Sequence, residues 1–219
     1  NSILSIKACE DSKTLTQSEI VIKKLIEKGF KRNMTLVALG GGVIQDLTSF
    51  ISSILFRGVD WIFIPTTLLS QADSCIGSKT SINFHGTKNI LGTFYPPRKI
   101  FTFLSFLDTL APSEIKSGIG EILHYYFVDS NSLMNEIRDK YNNLILNRKL
   151  IEKHIFESLA IKKRMVEKDE FDKGPRAVFN YGHTFGHALE VITDFKVSHG
   201  QAVTRGMDLA NFIALNENF

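Results

Sequence analysis

Three of the six histidines of this chain fall within seventeen residues, at a spacing suited to binding a metal ion or a phosphate. His183 and His187 are four residues apart, so a helix would place both on one face, one turn from each other. His199 follows after a short loop. Imidazole is a common ligand of zinc and related metals. The stretch therefore predicts a functional site whose ligand the spacing leaves open.

A carboxylate, Glu121, lies in the otherwise apolar segment 118–123 and calls for a partner, either a metal or a cation. Together with His183 and His199 it would supply two nitrogens and one oxygen and leave one position open for substrate. That ligand set is typical of a catalytic zinc rather than a structural one. A rival triad has His187 in place of His199, and spacing alone slightly favours this rival.

Two strand ends could contact a phosphorylated ligand. Gly40-Gly41-Gly42 separates a strand from a helix, a layout that lets backbone approach a phosphate at the helix N-terminus, although glycines also serve tight turns there. Thr66 and Thr67 follow the next strand, where hydroxyls contact ligands in open α/β sheets or cap a helix. Lys79 and Lys88 could join such a site or simply face solvent. Lys162 and Arg176 lie nearer in sequence to the histidine segment, where Arg176 could hold a carboxylate or phosphate and Lys162 could equally lie on a solvated helix face.

These residues must be positioned by two kinds of structure. Residues 34–39, 61–64 and 99–103 form apolar runs typical of buried parallel strands, and residues 18–30 and 46–56 have helical periodicity. After Pro112 only helices are predicted, over residues 114–128, 150–167, 177–192 and 201–215. We therefore predict an α/β nucleotide-binding domain over residues 1–110, a parallel sheet with flanking helices. An all-α metal- and substrate-binding domain follows over residues 111–219.

Composition excludes several classes of protein. The apolar fraction of 43% and the charged fraction of 22% are ordinary for a globular chain, and the net charge of +3 is too slight and too dispersed to predict nucleic-acid binding. Two cysteines, Cys9 and Cys75, indicate a reducing compartment. The longest apolar stretch, near Phe50–Phe56, is too short to span a bilayer. We expect a cytoplasmic protein that binds neither nucleic acid nor membrane.

Taken in order along the chain, these motifs resemble the 3-dehydroquinate synthase family of sugar phosphate cyclases from about Glu10 onward. The segments that match are Gly40–Asp46, Arg57–Asp60, Pro65–Leu69, Asp73–Lys79, Lys88-Asn89, Gly120–Ile122, Asn180–His187 and His199-Gly200. The resemblance implies an NAD- and zinc-dependent lyase, with cobalt as the alternative metal, that acts on a seven-carbon keto-acid phosphate in the shikimate pathway. In that reaction a ring hydroxyl is oxidised transiently so that phosphate can leave, the hydride is returned, and an aldol closure forms the carbocycle.

The resemblance also implies the role of each residue. The metal ligands would be Glu121, His183 and His199, in preference to the triad with His187 that spacing favours. Residues implied to hold NAD are Glu10, Lys13, Gly41, Gly42, Val43, Asp46, Thr66, Thr67, Asp73, Lys79, Lys88 and Thr109. Residues implied to contact the phosphorylated substrate are Lys79, Asn89, Lys162, Arg176, Asn180 and His187. Arg57 resembles a residue that enters the pocket from a neighbouring subunit, which implies a homodimer.

The chain departs from the family pattern at three places. His124 stands where these synthases carry a lysine, three residues after the metal-binding glutamate, so a titratable group replaces a permanent cation. Gln45 and Ser78 replace glycines of the cofactor loops. Family members also extend further at both ends, so we expect the chain to lack a first strand–helix unit and a C-terminal helical continuation.

Alternative functions are a paralogous cyclase of neutral sugar phosphates, a metal-dependent polyol dehydrogenase and a non-catalytic binding homologue.

Overall fold

The computed structural model of the chain describes residues 2–129, 131–144 and 146–217, which form two compact units. The first unit contains the chain up to Thr66 and from Gly77 to Phe103. The second contains Thr67–Ile76 and the chain from Leu104 onward. Residues 67–76 therefore group with the later helices, although in sequence they lie between elements of the first unit.

The first unit is built on a three-stranded parallel sheet, as the sequence predicts. Its strands are β1 (Leu36–Gly40), β2 (Trp61–Pro65) and β5 (Lys99–Ile100), in the order β1-β2-β5. The register pairs Leu36 with Trp61 and Ile62 with Lys99. The sheet thus carries the ends of β1 and β2 side by side, which is where the glycine turn and Thr66 follow.

Two helices accompany this sheet, α1 (Leu15–Glu27) and α2 (Gly42–Ile54). Helix α1 begins three residues before the predicted start because the Thr14 side chain accepts a hydrogen bond from the Gln17 amide at 3.1 Å.

The prediction of a buried β1 is correct for Ala38 only. Val37 and Leu39 are 58% and 55% exposed, because alternate side chains of a strand point to opposite faces of the sheet.

A β-hairpin that periodicity did not predict completes the first unit. Strands β3 (Ile82–Phe84) and β4 (Thr87–Leu91) pair antiparallel across a two-residue turn. His85 and Gly86 occupy this turn with φ angles of 46° and 78°, as a type I′ hairpin turn requires. The strands are short and largely exposed, so hydrophobic alternation is weak there.

The second unit is helical. Its helices are α3 (Pro112–Asp129), α4 (Asn131–Leu144), α5 (Arg148–Lys168), α6 (His183–Ile192) and α7 (His199–Asn216). A buried apolar cluster joins α3, α4 and α5 and includes Ile119, Tyr126, Ile137 and Ile155. The predicted helices are confirmed except at 177–192, where a 3₁₀ turn (Pro175–Asn180) precedes α6. Gly182, with φ = 77°, separates the 3₁₀ turn from α6. Helix α4 was not predicted.

Within the described residues, no helix has the length and apolarity needed to cross a membrane.

Candidate metal centre and its surroundings

The three predicted metal ligands come from three different helices of the second unit. Glu121 lies in the middle of α3, whereas His183 and His199 are the first residues of α6 and α7. A ligand at a helix start has its backbone position fixed by the turn that precedes it. The residue before His183 is Gly182, in the left-handed conformation, and the residue before His199 is Ser198, in an extended conformation.

Glycines bring these helices close enough for the ligands to meet. A Cβ atom on Gly200 would stand 1.8 Å from the carbonyl oxygen of Ser117 in α3, and one on Gly206 would stand 2.0 Å from that of Gly182. Neither position can accept a side chain without moving backbone. The close approach of α7 to α3 and α6 therefore depends on Gly200, which directly follows the ligand His199, and on Gly206 in the same helix.

The ligand atoms of Glu121, His183 and His199 all lie within 4.8 Å of one another. His183 Nε2 is 4.0 Å from Glu121 Oε1, and His199 Nε2 is 3.8 Å from Glu121 Oε2. Two ligands of one zinc, each about 2.1 Å from it in a tetrahedral arrangement, are about 3.4 Å apart. The set therefore fits a single ion after small side-chain movements.

Glu121 itself indicates that a cation belongs here. Its side chain is buried, 4% exposed, and its Oε2 atom has no hydrogen-bond partner among the described residues. A buried carboxylate oxygen left in this state costs free energy unless a cation compensates it. The residues present thus fit a divalent metal bound by one oxygen and two nitrogens.

Titration of the three groups follows from burial and mutual charge. Burial would raise the pKa of Glu121, but the imidazoles of His124, His199 and His183 outweigh it and hold this pKa below its ordinary value. Burial lowers the pKa of His183 more than the Glu121 charge raises it. For His199 burial is outweighed by the hydrogen bond to Glu190 and the charge of Glu121, so its pKa is raised. The site favours ionised carboxylates beside imidazoles.

His187 occupies a different position from the one that its spacing suggested. Its ligand atom groups with those of Glu190 and His199, not with the pair Glu121 and His183. The residue is exposed, and its ring centroid lies 5.6 Å from that of His199. His187 thus lies at the rim of the centre, next to the third predicted ligand.

His124, the residue that departs from the family pattern, lies directly against the centre. Its side chain is fully buried, with Nδ1 3.6 Å from Glu121 Oε1, and its ring contacts those of His183 and Phe179. Neither ring nitrogen has a hydrogen-bond partner among the described residues. An imidazole here is enclosed by aromatic rings and lies next to the metal-binding carboxylate.

A second polar cluster of the second unit is centred on Asp73, in the single π-helical turn Ser70–Ser74. Lys162 of α5 donates from Nζ to Asp73 Oδ1 at 2.6 Å and to the Asp73 carbonyl at 3.0 Å, and the Tyr125 hydroxyl donates to the same Oδ1. Burial, followed by the Asp73 charge, raises the pKa of Tyr125. Sequence analysis missed Tyr125, although it lies one helical turn after Glu121.

Arg176 and Asn180, predicted to contact substrate, lie in the 3₁₀ turn that precedes α6. Arg176 is buried, and its Nη1 donates to the Glu170 carbonyl at 2.8 Å. Asp169 fixes the same loop by accepting from the amides of Lys173, Gly174 and Arg176. The turn thus holds one guanidinium in a defined orientation, whereas Asn180 is exposed.

In the first unit, Lys13 gathers several predicted cofactor residues. It is 5% exposed, and its Nζ donates to Asp46 Oδ2 at 2.9 Å and to Asn89 Oδ1 at 2.6 Å. Glu10 Oε1 lies 3.6 Å from the same Nζ and accepts from Asn83 at 2.8 Å. Burial raises the pKa of Asp46 more than Lys13 lowers it. Asn83, which joins the cluster from the hairpin, was not predicted.

The glycine turn joins a strand to a helix N-terminus, the order of elements found in phosphate-binding turns. Strand β1 ends at Gly40, Gly41 is the N-cap, and α2 begins at Gly42. A Cβ on Gly42 would have no neighbour within 4 Å, so there is open space at the start of the helix. The first amides of a helix lack intrahelical partners, and they bind anions such as a pyrophosphate.

The remaining predicted residues are distributed over both units. Thr66 belongs to the first unit, whereas Thr67 belongs to the second and exchanges hydrogen bonds with Ser70, in agreement with the capping alternative. Those exposed in the first unit are Arg57, Lys79 and Lys88, and Thr109 is exposed in the second. The structure therefore brings together the metal ligands in one unit and the Lys13 cluster in the other.

Comparison with known proteins matches two family models to consecutive parts of the chain. Residues 3–117 match the family described as 3-dehydroquinate synthase N-terminal, and residues 118–219 match 3-dehydroquinate synthase C-terminal. A curated 3-dehydroquinate synthase of Dictyoglomus thermophilum is 43% identical over 220 residues, which cover 99% of this chain and 62% of the relative. The chain thus spans about three-fifths of the length of such relatives.

Two solved structures are similar throughout the chain. A 2-deoxy-scyllo-inosose synthase complexed with carbaglucose-6-phosphate, NAD+ and Co2+ has a TM-score of 0.93 at 30% identity and covers 99% of this chain and 59% of its own. A 2-epi-5-epi-valiolone synthase from Streptomyces hygroscopicus with NAD+ and Zn2+ has a TM-score of 0.90 at 26% identity, covering 97% and 60%.

Proposed function

Because the chain belongs to the 3-dehydroquinate synthase family, we propose that its protein converts a seven-carbon keto-acid phosphate to 3-dehydroquinate, with NAD and zinc. The reaction eliminates phosphate and closes a carbocycle. The observation that carries this proposal is the triad of the buried Glu121 with the half-buried His183 and His199, in which a carboxylate oxygen of Glu121 lacks a hydrogen-bond partner among the described residues.

Each group of residues has a distinct task in this proposal. Glu121, His183 and His199 would hold the metal, and the amides of the Gly41–Val43 turn together with the Lys13 cluster would hold the dinucleotide. When bound, NAD provides a reversible hydride acceptor and zinc provides a Lewis acid for the oxygen on the carbon that is oxidised and reduced. Cobalt is the alternative metal, since the same ligand set suits both.

The cations of the second unit would bind the anionic substrate. Arg176 is buried and oriented by Glu170, so its remaining N–H groups can hold a carboxylate or a phosphate with parallel hydrogen bonds. Lys162 is positioned by Asp73, and this ion pair reduces the cost of burying an ammonium group. Asn180 and the exposed His187 would supply further hydrogen bonds to the phosphate.

A second candidate is a cyclase of neutral sugar phosphates. It is favoured by His124, an imidazole at a position where the synthases carry a permanent cation, and by the high similarity to a 2-deoxy-scyllo-inosose synthase. A neutral sugar phosphate has no carboxylate, so it needs fewer fixed cations. The two candidates share the metal, the dinucleotide and the elimination, and they differ in the substrate alone.

An assay of the full-length protein with NAD and zinc decides between them. We expect phosphate release from the keto-acid phosphate without net accumulation of NADH, because a cyclase returns its hydride. Release only from sedoheptulose 7-phosphate or glucose 6-phosphate would establish the second candidate. Net NADH formation would indicate a polyol dehydrogenase, and failure to turn over any of these substrates would contradict the proposal and favour a binding protein.

We also propose that the protein is a homodimer in which Arg57 completes the partner's substrate pocket. The residue is exposed, and its backbone has the left-handed conformation, with φ = 64°, in the turn that follows α2. Sedimentation of the full-length protein should give a dimer. Mixed dimers of Arg57→Ala and His183→Ala subunits that recover activity, which neither homodimer shows, would support a shared pocket, whereas full activity of the Arg57→Ala homodimer would contradict it.

A further inference from the structure

His199 contacts one carboxylate through each of its two ring nitrogens. Its Nε2 lies 3.8 Å from Glu121 Oε2, and its Nδ1 lies 3.2 Å from Glu190 Oε2. We propose that Glu190 is a positioning residue of the metal centre, which accepts the Nδ1 proton of His199 and so directs the Nε2 lone pair toward the metal. This inference rests on the metal site of the proposed function, and it concerns a residue outside the predicted ligand and substrate sets.

Helical geometry places Glu190 where this role requires it. The residue lies on α6, seven positions after His183, so two turns of helix separate them and both occupy one face. The chain then reverses through Asp194 and Phe195, with φ angles of 50° and 58°, and His199 begins α7. One helix thus provides a metal ligand at its start and the partner of another ligand near its end.

Close packing of α6 against α7 fixes the distance between Glu190 and His199. A Cβ on Gly186 would stand 3.0 Å from the Cα of Val203, and one on Gly206 would stand 2.8 Å from the Gly186 amide. The two helices therefore lie backbone against backbone at this point. Because neither can shift without steric conflict, the Glu190 carboxylate is held beside the imidazole of His199.

Burial gives this contact its strength. Glu190 is 8% exposed, and an ionised carboxylate at that depth needs hydrogen-bond donors. A carboxylate can only accept, so the imidazole nitrogen that faces it must carry the proton. The neutral tautomer of His199 that satisfies Glu190 then has its lone pair on Nε2, on the side of Glu121.

The chemistry of this arrangement is that of a carboxylate–histidine–metal triad. The carboxylate fixes the tautomer and orientation of the imidazole and makes it a stronger ligand, and removal of such partners weakens metal binding about 10–100-fold. His183 differs, because its Nδ1 faces the carbonyl of Tyr181 at 3.3 Å. Among the described residues, His199 therefore contacts a charged acceptor through Nδ1, whereas His183 faces a neutral carbonyl, and we assign the larger part of the orienting effect to Glu190.

The structure offers one competing role for Glu190. With His187 and His199 it forms a second group of ligand atoms within 4.8 Å of one another, and that group could bind an ion of its own. Such an ion would take the Nδ1 lone pair of His199, leaving Nε2 protonated and facing Glu121 Oε2. The two groups therefore compete for one imidazole. The group with Glu121 is favoured, since Glu121 has an oxygen without a hydrogen-bond partner among the described residues.

The test is zinc affinity of the full-length protein, measured by competition with a chromophoric chelator, together with metal stoichiometry. We expect one zinc per chain, a loss of about 10-fold in affinity for Glu190→Gln and up to about 100-fold for Glu190→Ala, with partial recovery in Glu190→Asp. His187→Ala should remain within about twofold of wild type, as should the control Glu136→Gln on α4. The Co2+ absorption spectrum should change in Glu190→Gln, because the ligand is reoriented.

Each contrary outcome has a separate meaning. If the wild-type protein binds no zinc, the metal site of the proposed function is wrong. If wild type binds zinc and Glu190→Ala, folded by circular dichroism, binds it equally well, the positioning role is wrong while the site stands. If two ions bind and both Glu190→Ala and His187→Ala lose one, Glu190 is a ligand of a second ion, which also overturns the inference.

Discussion

Gly120 of α3 and Gly200 of α7 lie so close together that a Cβ on Gly120 would stand 2.3 Å from the Gly200 carbonyl oxygen. This contact lies one residue from two of the three predicted metal ligands, Glu121 and His199. Because backbone fills the space, a methyl group at either glycine must push the helices apart. The separation of the two helices and the geometry of the ligands are therefore coupled.

We expect Gly120→Ala to reduce the free energy of unfolding by about 1–3 kcal/mol, the usual cost of overpacking. Zinc affinity should fall as well, because Glu121 and His199 are displaced from each other. Urea denaturation and chelator competition measure the two effects. The matched control is Gly42→Ala, where the added methyl group meets nothing within 4 Å. Equal zinc affinity in Gly120→Ala and wild type would contradict the coupling.

The Asp73–Lys162 pair provides a second prediction. Lys162→Met leaves the half-buried Asp73 carboxylate without its buried ammonium partner, and loss of one member of a buried pair costs up to about 3–5 kcal/mol. We therefore expect Lys162→Met to lower the free energy of unfolding by an amount in this range. Tyr125→Phe removes a single hydrogen bond to the same oxygen and should cost about 1–2 kcal/mol. A Lys162→Met protein as stable as Tyr125→Phe would show that the pair is not an important contact.

Lys13 is the centre of the proposed dinucleotide cluster, and its substitution should affect cofactor binding. Lys13→Gln removes the cation that pairs with Asp46 and leaves that half-buried carboxylate without its ammonium partner. We expect NAD to bind about 10-fold more weakly, measured by calorimetry on the full-length protein. The exposed lysine of the same unit, Lys7, provides the control Lys7→Gln. Equal NAD affinity in Lys13→Gln and Lys7→Gln would refute the assignment.

Stability at low pH should depend on Glu136, which joins α4 to α5. Hydrogen bonds from Lys153, followed by Lys140, lower its pKa to about 2, against an ordinary value of 4.5. Because the folded-state pKa is depressed, the stabilisation is complete above pH 4.5 and disappears as the pH falls toward 2. The pair is partly exposed, so solvent screening limits the effect to about 0.5–1 kcal/mol.

The measurement is the free energy of unfolding of wild type and Glu136→Gln between pH 6 and pH 2. The difference between the two proteins should shrink as the pH falls through this window. Glu19→Gln, an exposed position on α1, is the control and should keep a nearly constant difference from wild type. A Glu136→Gln difference that persists down to pH 2 would show that the ion pair is not its origin.

Sequence alone predicted the strands around Ala38 and Phe63 and most of the helices, because long apolar runs and helical periods are strong local signals. It missed the hairpin at His85-Gly86, which depends on turn conformation in two short exposed strands. The predicted helix over residues 177–192 also continued through Gly182. In the structure Gly182 has a left-handed conformation and separates the 3₁₀ turn from α6. Local pattern cannot register such a break.

The site shows the same limit. Both triads were open from the sequence, spacing slightly favoured His187 because it is one turn from His183, and the family resemblance decided for His199. Which helices approach each other is decided by glycines such as Gly186 and Gly206, whose partners are far away in sequence. Glu190 lies seven residues after His183, so helical spacing alone places both on one face of the helix. Its contact with His199, however, depends on the turn that reverses the chain.

The most direct test of the metal centre is anomalous diffraction at the zinc absorption edge, from crystals of the full-length protein grown with zinc. We expect one strong peak per chain, within bonding distance of a Glu121 oxygen and of Nε2 of both His183 and His199. A peak bound by His187 and Glu190 instead, or no peak on the Glu121 carboxylate, would contradict the assignment of these three residues as the metal ligands.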